Sequence, residues 1–521
     1  VAKPHADADG HSDRVHRLPG LSMPPPSPWY SGYLSYDLNG RTIHTHYILV
    51  ECEDDDKPLV YWSNGGPGSS SMFGLMTELG PLLFSDESLQ TEDYRRTGIP
   101  TPLYNEFTWT KLGSILMFDA PAPVGFSYCD PPHNNSSTDT QDDHDHDATA
   151  TLDELENGRK KKKKMKQLSC GSWTDELASL NTYTALQKFY EKFPSYRSKD
   201  LYLTGESYAG IYIPTLARRI VEGNGNDSDE NNNNNEETKI NLMGFAVGDG
   251  CLGKDTNVCG DMFGKDYFYN TLFFAGHHQI PLRTLRLIWK ECGIKGEKLK
   301  AKGCRKILDT AQEQIGDAYF YNLYDDCTYR NGDLRRQRAG NNNLAAEAVG
   351  GVINDYPCGG EVVMDQYLHM DVVKEALHVE KGFDSDEYLF EYTWTEPTLE
   401  EFYKSVNGQL RVLVYNGDTD PAINSFEAQN WTSHLGFPIE EDWRPWTTDG
   451  CRRMGGYITR YGGDFDFLTI RGAGHMVPTY KPEASFVFLK AWLENTAVPT
   501  YDPTCLTPNG NKTTTTTTST G

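Results

Sequence analysis

The chain has 521 residues, enough to bury a large core, and one core with an inserted cap is expected ahead of three separate domains. Its 49 basic and 74 acidic side chains leave a formal net charge of -25, which disfavours nucleic acid as a partner and suits an acid compartment. No apolar run is long enough to span a bilayer, and no signal peptide is visible, which fits a chain that starts after cleavage.

Strands are predicted at Thr42 to Val50, Pro58 to Trp62 and Ser114 to Asp119, those after the first hairpin as short apolar runs. The second of these breaks into Ser63-Asn-Gly-Gly-Pro-Gly68, where bulky side chains are lacking and backbone amides are exposed. A phosphate-cradling loop is excluded because the Lys-Ser/Thr pair that closes one is missing. The text from about Asp130 to Gln167 is rich in His, Asp, Asn and Thr and then turns to Lys160 to Lys164; a second biased stretch runs from Gly223 to Glu237. Both read as surface insertions, and His144 and His146 lack the fixed spacing of a metal site. Helical text at Thr174 to Phe193 leads to a strand at Asp200 to Thr204, and another strand follows at Ile240 to Val247. The strand pattern then stops until about Gly360, and aromatic, basic and cysteine-rich text at helical spacing replaces it. Strands resume at Arg411 to Asn416 and Phe467 to Arg471, and Pro482 to Leu493 reads as a helix. Buried apolar strands of this kind require a mostly parallel sheet covered on both faces. The expected division is a core over 14–248, a cap over 249–360, a second core segment over 361–505 and a threonine-rich tail over 506–521.

Three strand ends carry the chemistry. Leu201-Tyr-Leu-Thr-Gly-Glu-Ser-Tyr-Ala-Gly210 sets Ser207 where an apolar strand turns toward a helix, and the small residues around it allow the tight turn that exposes a nucleophile. A strict elbow has glycine two places after the serine, where this chain has Ala209, so the pattern gains weight only from its partners. Asp418 lies just past the strand that ends at Gly417, and His475 hangs on Arg471-Gly-Ala-Gly474 beyond the last strand. The order Ser, Asp, His is the one this sheet topology imposes. A serine hydroxyl needs an imidazole to take its proton and a carboxylate to hold the imidazole's tautomer, so Ser207, His475 and Asp418 are the expected catalytic set. The amides of Gly66 and Tyr208 are the expected donors to the oxyanion of acyl transfer.

Together the stretches Trp62 to Ser71, Gly205 to Gly210, Gly417 to Asp420 and Gly472 to Pro478 resemble the serine carboxypeptidase family, and the likeness extends from Asp13 to about Cys505. The resemblance implies an α/β-hydrolase fold with a mainly helical inserted cap, and release of C-terminal amino acids from peptides and proteins through an acyl-enzyme at Ser207, with no cofactor or metal. It also implies that Asn64, Glu78 and Glu206 bind the substrate's terminal carboxylate, with Trp62 packed beside them. Glutamates facing a carboxylate cannot all be ionised, so a shared proton and an acidic optimum are expected for peptides. A serine carboxypeptidase-like acyltransferase and a non-catalytic protective or binding partner on the same fold remain as alternatives; Glu206 argues against the first, since related acyltransferases tend to carry aspartate there.

Eleven cysteines without a paired C-x-x-C pattern read as a disulfide framework with at least one free thiol, and hence an oxidising compartment. Glycosylation patterns at Asn134, Asn135, Asn226, Asn430 and Asn511 agree with the secretory pathway, whether vacuolar, lysosomal or extracellular. Where the family has a cysteine after Gly-Gly-Pro-Gly this chain has Ser69, so the resemblance implies that Cys327 or Cys358 has lost its usual partner. Partners are peptides with a free C-terminus, without nucleic acid or membrane insertion; monomer or homodimer stays open.

Overall fold

The structure is a computed structural model that describes residues 10–54, 56–131, 170–256, 258–259, 268–316, 318–325, 327, 358–380, 382–383 and 390–505, apart from 227–238. The two biased stretches apart from 130–131 and 223–226, together with His144, His146, the lysine run, the tail and the acceptor sites other than Asn226 and Asn430, lie outside these residues, and 223–226, expected in a surface insertion, are the end of a helix instead.

A twelve-stranded sheet runs through the molecule. In chain order its strands are β1 (Arg14–Val15), β2 (Trp29–Leu38), β3 (Arg41–Val50), β4 (Leu59–Ser63), β5 (Ser114–Phe118), β6 (Tyr128–Cys129), β7 (Leu201–Glu206), β8 (Leu242–Gly248), β9 (Arg411–Gly417), β10 (Ile439–Thr447), β11 (Met454–Tyr461) and β12 (Phe465–Ile470). The spatial order is β1-β2-β3-β5-β4-β7-β8-β9-β12-β11-β10, with β6 beside β3. From β5 to β12 every neighbouring pair is parallel, and antiparallel hairpins close both edges.

Alternation along the parallel strands builds two cores. Leu59, Tyr61, Leu201, Leu203, Phe245, Val247, Val412 and Val414 face one side, while Val60, Trp62, Tyr202, Ala246, Leu413 and Tyr415 face the other. Each large apolar side chain so buried contributes about 1.5–3 kcal/mol. Helices α1 (Asp175–Lys192) and α2 (Ala209–Asn226) cover the first face, and the C-terminal helix Pro482–Leu493 covers the second. The Thr174 side chain caps α1 by accepting from the Leu177 amide, which fixes where that predicted helix begins.

The strands predicted from apolar runs are present within two residues, but the β10–β11 hairpin was not expected. Its outer strand, Ile439–Thr447, carries Glu440, Glu441, Asp442 and Arg444 on an open edge, and so lacks the apolar run of a buried strand. Among the described residues of 249–360 there are helices and no strand: α3 (Phe268–Gly276), α4 (Leu282–Cys292) and α5 (Lys302–Ile315). They share a small core of their own around Phe268, Phe273, Phe274, Ile288 and Leu308, stapled by Cys292–Cys304. No described helix is long and apolar enough to cross a membrane.

The other disulfides are Cys129–Cys170, Cys251–Cys259, Cys327–Cys358 and Cys451–Cys505. This corrects the expectation that Cys327 or Cys358 is left without a partner: they bond to each other, and the free thiol is the buried Cys52.

Candidate active site

Parallel strands in register deliver their C-terminal ends to one edge, where a ligand crevice forms in open α/β sheets. Ser63 pairs with Gly205, Glu206 with Gly248, Gly248 with Tyr415, and Gly417 with Ile470. The loops after these strands therefore converge.

Ser207 sits between β7 and α2 with φ 63°, a left-handed conformation that few side-chain-bearing residues adopt outside functional turns. The turn is pinned by Ser207 N–H to Gly248 O at 2.9 Å and by Cys251 N–H to Ser207 O at 3.0 Å. At Gly210 a Cβ would lie 2.4 Å from the Cys251 nitrogen, so the close approach requires glycine. Ser207 is half-buried.

His475 is buried, with its ring stacked on Tyr321 at 4.8 Å between centroids and its amide donating to Tyr321 O at 2.7 Å. Its Nδ1 lies 2.7 Å from Asp420 Oδ2, and its Nε2 makes no hydrogen bond among the described residues. Asp420 also accepts from the amides of Ala422 at 2.8 Å and Ile423 at 3.3 Å. Imidazole and carboxylate are thus held as an orienting pair with one ring nitrogen left over for a proton, and such bonds to a nucleophile often close only with substrate bound.

The carboxylate on the imidazole is Asp420, which corrects the expectation of Asp418. A turn from Gly417 to Asp420 follows β9, and within it Asp418 is drawn aside: its Oδ1 accepts from the Gly472 amide at 2.6 Å, and its carbonyl contacts His277 Nε2 at 2.9 Å. Burial lifts the Asp418 carboxyl to about 6, opposed by that amide, Arg471 and Lys481. Two residues further on, the chain has swung far enough to bring Asp420 under His475.

The glycine loop after β4 lies against the nucleophile. A Cβ on Gly65 would meet the Tyr208 nitrogen at 2.3 Å and Ser207 Cβ at 2.9 Å, and Gly66 has φ 109°. The amide of Gly66, next to Gly65, and that of Tyr208, next to Ser207 in the chain, donate to nothing among the described residues. Ser70 Oγ donates to Asp119, which also accepts from the Phe126 amide and contacts His46 Nδ1 at 2.8 Å, so a buried network anchors the loop.

Beside Ser207 the remaining predicted residues form one cluster. Asn64 Nδ2 donates to Glu78 Oε1 at 3.1 Å and to Glu206 Oε1 at 3.0 Å, while its Oδ1 accepts from Trp62 Nε1 at 2.8 Å and the Gly74 amide at 3.0 Å. All four side chains are buried. The two glutamate carboxyls contact each other, and the second oxygen of each receives no N–H or O–H from elsewhere among the described residues. Burial raises Glu78 to about 7, against the lowering effect of the Asn64 and Glu206 hydrogen bonds and the His475 charge. Burial, then the charge of Glu78, pushes Glu206 well above the usual carboxylate range. Two acids sharing a proton beside a nucleophile can donate to an incoming carboxylate.

Residues 19–495 match the family model described as serine carboxypeptidase. The chain belongs to the serine carboxypeptidase family. Among its relatives, serine carboxypeptidase ctsa-4.1 of Caenorhabditis elegans is 29% identical over 93% of each chain, and the lysosomal protective protein of Mus musculus 28% identical over 94% of each. Serine carboxypeptidase-like 34 of Arabidopsis thaliana is 30% identical, over 94% of this chain and 90% of its own. The crystal structure of Kex1, a prohormone-processing carboxypeptidase from Saccharomyces cerevisiae, superposes with a TM-score of 0.63 at 18% identity, covering 94% of this chain and 96% of that one. That likeness establishes the α/β-hydrolase fold, and family membership makes the chain a serine carboxypeptidase-type hydrolase.

Beyond the sequence-read residues, this serine carboxypeptidase chain uses Tyr321 to stack His475 and Asp175 to hold Tyr208, whose hydroxyl donates to it at 2.6 Å. Tyr392 donates to the same carboxylate at 2.8 Å. Neither role has a sequence signal, because each contact joins segments far apart in the chain. Asp420 did have one: it falls inside the stretch Gly417 to Asp420 that carries the family likeness.

Proposed function

We propose that the protein releases the C-terminal residue of peptides through an acyl-enzyme on Ser207, fastest at acidic pH. The observation that carries this reading is the Asn64–Glu78–Glu206 cluster: two buried carboxyls in contact, bridged by one amide, with Glu206 the residue before Ser207. A neutral acid pair accepts a substrate carboxylate, and an ionised pair repels it.

In the reaction, Ser207 Oγ attacks the scissile carbonyl while His475 Nε2 takes its proton. Asp420 keeps the Nδ1 proton in place and stabilises the imidazolium. The amides of Gly66 and Tyr208 meet the oxyanion of the tetrahedral intermediate. His475 then protonates the departing amine, and a water activated by the same base releases the acyl group from Ser207. Five disulfides and the lysosomal relative support passage through the secretory pathway to a vacuole, a lysosome or the exterior.

The test is release of the last residue from an N-blocked dipeptide and from its C-terminal amide, with Ser207→Ala as control. The free acid should be cut faster at acidic pH and the variant should be inactive. Equal cleavage of acid and amide would remove the carboxylate-reading role, and labelling of Ser207 by a serine reagent without any peptide cleavage would favour acyl transfer.

A further inference from the structure

Asp249 follows β8, one residue past the carbonyl that accepts from the Ser207 amide, and its own amide donates to Tyr415 O at 2.8 Å. It is fully buried and adopts φ 42°, a left-handed conformation at which Asp and Asn are among the few side chains tolerated. It lies between the strand that presents the nucleophile and the strand that leads to Asp420. The Asp249 carboxyl accepts from the Gly417 amide, at 3.0 Å to Oδ1 and 3.2 Å to Oδ2, and from Asn416 Nδ2 at 3.1 Å. Its side chain is also in hydrogen-bonding contact with that of Asp420, equally buried.

Two carboxyls in contact away from water cannot both be ionised, and a hydrogen bond between them exists only if one carries a proton. The donors decide which. Asp420 receives three N–H groups, from Ala422, Ile423 and the His475 ring, and it faces the nitrogen pair that becomes cationic in the reaction. Among the described residues, Asp249 receives only the amide it shares between its two oxygens and the Asn416 side chain. The anion therefore belongs on Asp420 and the proton on Asp249.

We propose that Asp249 is a positioning residue for this chemistry: as the neutral acid it donates a hydrogen bond to Asp420 and holds that carboxylate against His475. This rests on the reading of Ser207, His475 and Asp420 as one catalytic unit. Burial, followed by the charge of Asp420, drives the Asp249 carboxyl well above the usual range, opposed by the Gly417 and Asn416 hydrogen bonds. Among the described residues, the other titratable groups facing the pair are Glu206 at the end of β7, Tyr415 on β9, Glu427 on the helix Ser425–His434 and His475 after β12. Loss of the proton to solvent at higher pH sets a second negative charge against Asp420, breaks the bond between the acids and releases the carboxylate from its place under the imidazole. The consequence is an alkaline limit on turnover separate from the acid pair that reads the substrate.

The experiment compares wild type with Asp249→Asn, whose amide keeps the acceptor for Gly417 and donates to Asp420 at every pH. The substrate is a blocked amino-acid ester without a free carboxylate, so that Glu78 and Glu206 are not called on to bind one. Wild-type kcat should decline on the alkaline side by about tenfold per pH unit past the titration of Asp249. Asp249→Asn should match the wild type at acidic pH with KM unchanged and hold its kcat through the range where the wild type fails. A second readout does not need turnover: the downfield proton resonance of the His475 Nδ1–H should move with pH in the wild type over that range and stay constant in the variant. Superimposable pH profiles and superimposable resonances would overturn the assignment. If neither protein turns over ester or peptide while the resonances behave as stated, the peptidase reading fails and the Asp249–Asp420 bond stands.

Discussion

Asp418 and Asp420 show how a two-residue difference decides a role. Both sit in the turn after β9, yet one is spent on the Gly472 amide and the other meets the imidazole at 2.7 Å. Asp420→Asn turns the ring's orienting partner into an amide that favours the wrong tautomer, and kcat should fall about 10³–10⁴-fold with KM little changed. Asp418→Asn keeps an oxygen for Gly472 and should leave kcat within about threefold, by the ordinary scale of a substitution outside the catalytic unit. A steady-state comparison of the two variants checks this directly. The reverse ranking would return the orienting role to Asp418.

At the scale of elements, the glycine loop after β4 and the helical turn Gly74–Leu79 must lie close enough for Asn64 to bridge two acids. A Cβ on Gly74 would stand 2.2 Å from Trp62 Nε1 and 2.7 Å from Asn64 Oδ1. Gly74→Ala therefore pushes the amide off its partners and should cost about 1.5–3 kcal/mol of substrate binding, roughly ten- to a hundredfold in KM for free-acid peptides. Esters should lose far less, and equal losses on both would count against a carboxylate-reading cluster. The parallel strands were legible in the sequence because burial on both faces leaves apolar runs ending in glycine, as at Gly205 and Gly417. The β10–β11 edge was illegible because one side meets solvent. Ser207 and His475 were legible because each sits one turn beyond such a run. Tyr321, Asp175 and Asp249 were not, since what they do depends on loops brought together only by the strand order, and a lone aspartate after Val-Gly carries no local mark of a buried acid pair.

Across the whole molecule, buried acids set the pH range. Glu78 is raised to about 7 and Glu427 to about 8, both mainly by burial, and Glu206 and Asp249 are raised in the same direction. A carboxyl whose folded pKa exceeds its unfolded value contributes stability that is fully present below the unfolded value and is lost as pH rises through the folded one. For Glu78 alone the loss is on the order of 3 kcal/mol. Tm should therefore be highest near pH 5 and decline through pH 8, and scanning calorimetry that found Tm rising over that interval would contradict the pKa directions. The same titration governs function, because the pair is neutral only below the titration of Glu78, and a charge on it opposes a substrate carboxylate. The decisive measurement is the ratio of kcat/KM for an N-blocked dipeptide to that for its methyl ester from pH 4 to 8. The account predicts a ratio that is constant at acidic pH and falls as pH passes about 7, the value to which Glu78 is raised. A ratio that stayed flat or rose with pH would contradict proton sharing between Glu78 and Glu206, and with it the reading of this cluster as the site that recognises a C-terminus.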